Sequence, residues 1–557
     1  MRRNLRTGPW VWLLSLLLVV GCRHPLPPAL SGHKSGAATP ATAGLAQAHA
    51  HYMAGVIAEL NQSPAEALDQ FTQAALADPG DTDLVLEVAQ RLLEGKKPQP
   101  AVELLTRATN QRHAGGDLYA RLGLAYAQLG RTNEAIAACR TALKKSPGTP
   151  EAYQTLFLIY ASAKNPGEAH KVLDLALKQP DLPAEFLVTL SEMYIGLGRQ
   201  LPDRRVEFRG EALKAITRAQ QLAPSDPNLM LKLADGFNFL GEPAQASPIY
   251  LDLLKRYPDS PVVRTQVRAK LIELYLRGKD PAGAMQQLEA AAHDNPSNPQ
   301  TWFLLGSLAS EQKQMDRAAD YFGKAILFNP GFEQAYYDLA MAQIQINAPT
   351  NALATLRQAR AKFGENFITE FLSGLACGAQ TNDTEALRHL TSAEVIARAT
   401  DKGRLNEYLF FQIGVTCERL GNIDQATSYL EKCLEVAPDF TEALNYLGYL
   451  WADRGENLTR ARELLEKAVK LEPKNPAFLD SLAWALFKLG KLPEALSCQQ
   501  QAVALIEKPD ATLFDHLGDI YEALKEPAKA RAAWQQAHDL DPKNPKLEKK
   551  LEPAPAP

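Results

Sequence analysis

A chain of 557 residues has room for several domains, and 46% hydrophobic with 22% charged residues describes a globular protein rather than a disordered one. The formal net charge of −4 argues against nucleic acid, which calls for a basic stripe. The six cysteines (Cys22, Cys139, Cys377, Cys417, Cys433 and Cys498) form no CxxC or paired metal spacing, and they are too sparse for a disulfide framework.

The chain opens on a cationic stretch, Arg2, Arg3 and Arg6, followed by an apolar run of eleven residues from Trp10 to Val20. That run is too short for a comfortable membrane span, which takes about 20 residues, and residues 1–21 read as a signal peptide. It ends in Val19-Val20-Gly21-Cys22, which resembles the lipobox of bacterial lipoproteins. The resemblance implies cleavage before Cys22 and lipidation of Cys22. Arg23 follows instead of aspartate, a pattern similar to that of outer-membrane lipoproteins. The expected location is therefore the bacterial cell envelope, lipid-anchored, at the outer membrane facing the periplasm. Residues 22–47, rich in Pro, Gly, Ala, Ser and Thr, read as the lipidated cysteine and a flexible tether.

The best-formed unit of the remainder is residues 299–332. Trp302, Leu305, Gly306 and Ala309 fall at i, i+3, i+4 and i+7 on one helix face, and Ala318, Phe322 and Ala325 do the same on a second. Pro330 ends that second helix. The alanine of this unit recurs as Ala67, Ala101, Ala135, Ala169, Ala212, Ala246, Ala284, Ala318, Ala352, Ala386, Ala426, Ala461, Ala495 and Ala530. Most intervals are 34 residues; 43 precede Ala212, 38 precede Ala284 and 40 precede Ala426. Four residues after nearly every alanine stands a large or apolar residue, and the break is Gln499. Gly130, Gly198, Gly241, Gly421, Gly455 and Gly490 sit where each first helix must stop, and glycine suits a left-handed cap.

This pattern resembles the tetratricopeptide repeat, W-x₂-L-G-x₂-Y…A-x₃-F…P over 34 residues. The resemblance implies an all-α fold, an α-solenoid in the form of a right-handed superhelix with about fourteen helix-turn-helix units. The array covers 48–544, divided at about 48–81, 82–115, 116–149, 150–183, 184–226, 227–260, 265–298, 299–332, 333–366, 367–400, 407–440, 441–475, 476–509 and 511–544. Residues 199–209 are expected to lengthen the turn of the fifth repeat, and 394–406 the second helix of the tenth or its exit. Residues 545–557 read as a short capping helix and tail.

Nothing in the sequence supports an enzyme or a cofactor. His49 and His51 are the only close histidine pair, and an i, i+2 spacing puts them on different helix faces, so no metal site is expected. Cys139, Cys377 and Cys433 occupy core positions, while Cys417 and Cys433 share a repeat and could approach each other. The family's concave face is lined by the first helices. Carried onto this sequence it gives an apolar partner-binding groove of Phe303, Tyr337, Met341, Ile344, Phe371, Leu375, Phe411 and Val415. A second, aromatic and acidic surface follows from Asn445, Tyr449, Asp480, Trp484, Asp515 and Asp519. The expected function is a non-enzymatic scaffold that binds envelope proteins, as peptides or helices, in its groove. A glycan export or assembly accessory, suggested by the second surface, and a regulatory subunit of a separately encoded enzyme are the alternatives.

Overall fold

The computed structural model describes residues 40–552. The signal peptide, the lipidation site Cys22, tether residues up to 39 and the last five residues lie outside the described residues. Within them the chain is all α-helical, with 29 α-helices, two short 3₁₀ turns and no strand. Twenty-eight of these helices form fourteen consecutive hairpins, from Pro40–Leu60 with Pro64–Ala77 to Ala511–Ala523 with Pro527–Leu540, and the last helix, Pro545–Leu551, follows as a cap.

Local chemistry sets both ends of each hairpin. In eight hairpins the second helix stops two residues before a proline, whose ring drives the intervening residue out of the α region. Asp78 ahead of Pro79 sits at φ −128°, ψ 80°, and Asn329 ahead of Pro330 at φ −138°, ψ 88°. Inside the hairpin the first helix closes on a left-handed residue. Gly130, Gly241, Gly421, Gly455 and Gly490 hold that conformation, as the sequence predicts. Gly198 does not; it lies within the helix Ala184–Gln200. In eight further hairpins Gln62, Lys96, Lys164, Lys279, Lys313, Asn347, Thr381 and Lys525 take the place, with φ between 53° and 62°.

Close approach of the two helices explains the residue pattern. All fourteen repeat alanines are 0–1% exposed. A Cβ built on Gly306 would lie 2.6 Å from the Phe322 ring, so only glycine lets that ring seat between the helices. Gly448 stands in the same relation to Leu465, also at 2.6 Å.

The irregular intervals lengthen helices. In the fifth repeat the extra residues extend both helices to 17 residues, Ala184–Gln200 and Arg205–Gln221, with a 3₁₀ turn at Pro202–Arg204, instead of forming a longer loop. The seventh repeat extends its first helix, Pro261–Arg277, to 17 residues. The tenth lengthens Asp383–Thr400 to 18 and adds a 3₁₀ turn at Lys402–Arg404 in its exit. Helical extension keeps every added backbone group hydrogen-bonded, which a loop of equal length does not. For the same reason residues 40–47, read as tether, are part of the first helix, whose alanine-rich start favours it. The chain divides into two units at Ile249–Tyr250, inside the helix Pro243–Arg256.

Candidate functional site

The groove residues lie in the second unit, and the structure sorts them. Tyr337, Met341, Ile344, Phe371 and Leu375 gather around one core cluster that includes Tyr336 and Leu372. Phe371 also reaches the next cluster, where Phe411 lies. Phe303 belongs to the preceding one and packs 4.6 Å from Phe332 and 5.5 Å from Phe322. Phe371 stacks on Phe367 at 5.7 Å, and Phe411 meets Phe440 and Tyr446 edge-on at 5.5 and 5.9 Å. These phenylalanines are half-buried, so each packs on one side and opens on the other. Tyr337 and Val415 are core, 4% and 8% exposed. The Tyr337 hydroxyl donates to Glu333 at 2.5 Å and accepts from Asn366 at 2.7 Å, and burial pushes it up to about 12.

Beside these residues a cavity of about 580 Å³ opens across the eighth, ninth and tenth repeats. Gln300, Asn329, Phe332, Glu333, Gln334, Tyr337 and Ile368 are among its walls, so amides and one carboxylate stand around apolar groups. A smaller one of about 260 Å³ is lined by Ser307, Phe322, Asp338, Met341 and Gln345. Burial raises the Asp338 carboxyl.

The second surface is not a free surface. Asp480 and Trp484 are only 6% and 8% exposed. Asp480 accepts from the Gln499 amide at 2.6 Å and lies 3.0 Å from Nδ1 of His516. Trp484 stacks on His516 at 4.1 Å and on Phe487 at 5.0 Å, and its indole donates to Asp453 at 3.2 Å. Asp515 and Asp519 are both tied to Lys550 of the capping helix, at 2.7 and 2.6 Å. Tyr449 is half-buried, with its hydroxyl pushed up to about 12 by burial and the acids around it. Asn445 is half-buried and keeps a carbonyl oxygen without a partner. The covering groups are His516 from the next first helix and Gln499 from the second helix of the same repeat, which close over Trp484 and Asp480. Gln499, His516 and Lys550 complete this cluster; of the three only Gln499 stands out in the sequence, as the polar break in the apolar series.

All five described cysteines are free thiols. Cys417 faces Gln425 and Cys433 the carbonyl of Glu407, so the two do not pair. Burial raises the Cys139 and Cys433 thiols to about 12.

Stacked helical hairpins with a candidate groove along their first helices define a repeat scaffold. Tetratricopeptide repeat family profiles match residues 86–150, 126–186, 229–260 and 263–543, the last of which alone spans half of the chain. The chain belongs to the tetratricopeptide repeat family. A repeat-containing protein of Pseudomonas aeruginosa is 32% identical over 224 residues, 39% of this chain and 35% of that protein. Human tetratricopeptide repeat protein 7A is 22% identical over 494 residues, 80% of this chain and 52% of that one. The chain thus spans about half or less of the length of these curated relatives. Among solved structures, a chain of Naa15/Naa10 bound to HypK-THB is 20% identical, with 81% of this chain and 67% of that chain covered and a TM-score of 0.36. Proteins of this family act as protein–protein interaction scaffolds.

Proposed function

We propose that the protein is a non-enzymatic scaffold, lipid-anchored through Cys22 in a bacterial cell envelope, that holds an extended segment or helix of an envelope protein along repeats eight to eleven. The observation that carries the binding reading is the open cavity of about 580 Å³ walled by Phe332, Tyr337 and Ile368, of which Tyr337 belongs to the expected groove. Its amides, Gln300, Asn329 and Gln334, can donate to and accept from a peptide backbone. The half-buried phenylalanines offer apolar contact for every few residues of a bound segment. The anchoring reading rests on the lipobox, and the outer-membrane placement on Arg23. The glycan reading loses its support, since Trp484 and Asp480 are buried and Asp515 and Asp519 are paired.

Two measurements test this. Gln300→Arg with Gln334→Arg fills the cavity with charge while altering only exposed residues. A crosslinking pull-down from the native envelope should lose its partner in that variant with the circular dichroism unchanged; an identical set of captured proteins would refute the site. Globomycin, or Cys22→Ala, should leave a larger precursor and change membrane fractionation. Unchanged size and fractionation would remove the anchor.

A further inference from the structure

The two ends of the array are finished differently. At the C-terminal end the capping helix Pro545–Leu551 seats Leu547, 1% exposed, on the last repeat. It turns lysines outward and pairs Lys550 with Asp515 and Asp519. That is the polar outer cap a repeat stack requires. At the other end stands Pro40–Leu60, at 21 residues the longest described helix. Ala48 and Ala58 bury one side of it, 4% and 5% exposed, and Phe71 of the following helix packs under Gly55. On the opposite side Leu45, Tyr52, Met53, Ile57 and Leu60 are 46%, 44%, 57%, 55% and 78% exposed. At about 100° per residue they share one side of the helix. Among the described residues no other helix carries more than two large exposed apolar side chains. At the edge of this side Tyr52 meets the Phe71 ring of the following helix at 5.5 Å, while Leu45, Met53, Ile57 and Leu60 remain exposed.

We propose that this face is a second membrane contact: the helix lies in the hydrocarbon–headgroup boundary of the bilayer that holds the N-terminus. The inference rests on the lipid-anchor reading. Cys22 lies 18 residues before Pro40. Eighteen residues reach at most about 60–65 Å, so a lipidated Cys22 keeps the helix within reach of the bilayer. Glu59 is the only charged residue of the helix, and it is paired with Arg91 at 2.5 Å, so no unpaired carboxylate or ammonium opposes insertion. Tyr52 sits at the edge of the face, where an aromatic ring with a polar tip suits the interface. A second copy is the weaker occupant. A helix of 21 residues offers a face about 30 Å long and about 10 Å wide, or about 300 Å². That is half of the roughly 600 Å² per partner at the low end of stable interfaces.

The test uses the full-length lipidated protein with Ile57→Cys labelled by an environment-sensitive NBD fluorophore, after Cys498→Ser removes the one described cysteine that is not buried. It is reconstituted in phosphatidylethanolamine–phosphatidylglycerol vesicles, with and without nitroxide-labelled acyl chains. The expected result is flotation with the vesicles, emission shifted to shorter wavelength, and loss of intensity to the nitroxide. Met53→Asp with Leu60→Asp should keep flotation and abolish both the shift and the quenching. Flotation with water-like emission would overturn the proposal and leave the anchor standing. So would shifted emission without quenching, in which case a disulfide between two unlabelled Ile57→Cys chains identifies a second copy. Failure to float would overturn both readings.

Discussion

Gln499 is the residue at which the repeat pattern and the structure part company. Every other repeat puts a large or apolar side chain four residues after its alanine, where it fills the space between the two helices. Gln499 is fully buried there, yet polar. Its amide nitrogen donates to Asp480 at 2.6 Å and to the backbone carbonyl of Leu513 at 2.8 Å. It therefore joins the first helix of its own repeat to that of the next, while His516 from the fourteenth repeat closes on the same carboxylate. A buried carboxylate is tolerated only while such donors surround it. Gln499→Leu restores the repeat pattern but strips one donor from Asp480 and from the Leu513 carbonyl. The expected cost is about 1–3 kcal/mol, the range for leaving buried groups unsatisfied, read from the urea midpoint. A variant as stable as the parent would show that the cluster is dispensable. The odd residue was legible in the sequence as a break. Its meaning was not, because Asp480 and His516 lie 19 residues before and 17 after it, and only stacking brings them together.

At the scale of the helical hairpin, the periodic features read through cleanly and the aperiodic ones did not. Alanine and glycine at the contact positions follow from helix-to-helix distance, which every hairpin shares, so a recurring small residue is enough to locate them. Insertions carry no such signal, because a loop and a longer helix consume the same number of residues; the fifth repeat chose two 17-residue helices. The hairpin closers fall between these cases. Five are glycines and were recognisable, but the lysines, Gln62, Asn347 and Thr381 at the same place look like ordinary surface residues. They hold φ near +57° because the closing hydrogen bonds, such as Thr381 N–H to Gly378 at 3.0 Å and Asn382 N–H to Cys377 at 3.0 Å, demand it. A side chain there costs roughly 1–2 kcal/mol, and a β-branched one is the least suited. Thr381, exposed and β-branched, is thus the place where the fold runs against its own sequence. Part of the gain from glycine is returned as added freedom of the unfolded chain, which is worth about 0.4–1 kcal/mol. Thr381→Gly is expected to stabilise by about 0.5–1 kcal/mol net, measured as a rise in the urea midpoint at unchanged slope. A fall in that midpoint would mean that the left-handed turn is not strained.

Across the whole chain, repetition makes stability a sum of local terms, each hairpin touching little beyond its neighbours. The same arithmetic explains what the sequence could say of the groove. The register of first-helix positions was legible, since it repeats; how far neighbours cover each position was not, since that depends on the particular pair of hairpins. Phe371 kept an open side and Trp484 lost its own by this difference alone. Local summation also predicts how damage spreads. Leu465 is fully buried, fills the gap beside Gly448, and belongs to a cluster drawn from the tenth to the fourteenth repeats. Leu465→Ala removes buried apolar volume that the surrounding helices can refill only in part, at a cost of about 2–5 kcal/mol. In a molecule with one cooperative core that loss would lower protection everywhere. In a chain of neighbour-coupled hairpins it is confined, so amide hydrogen exchange should accelerate over residues 407–509 and stay at the parent rate over residues 82–145, in the other unit. Exchange resolved by peptide, at a denaturant concentration below the midpoint, reads both regions in one experiment. Equal acceleration in the two would show that the array unfolds as a single block and that neighbour coupling is stronger than the terms it joins.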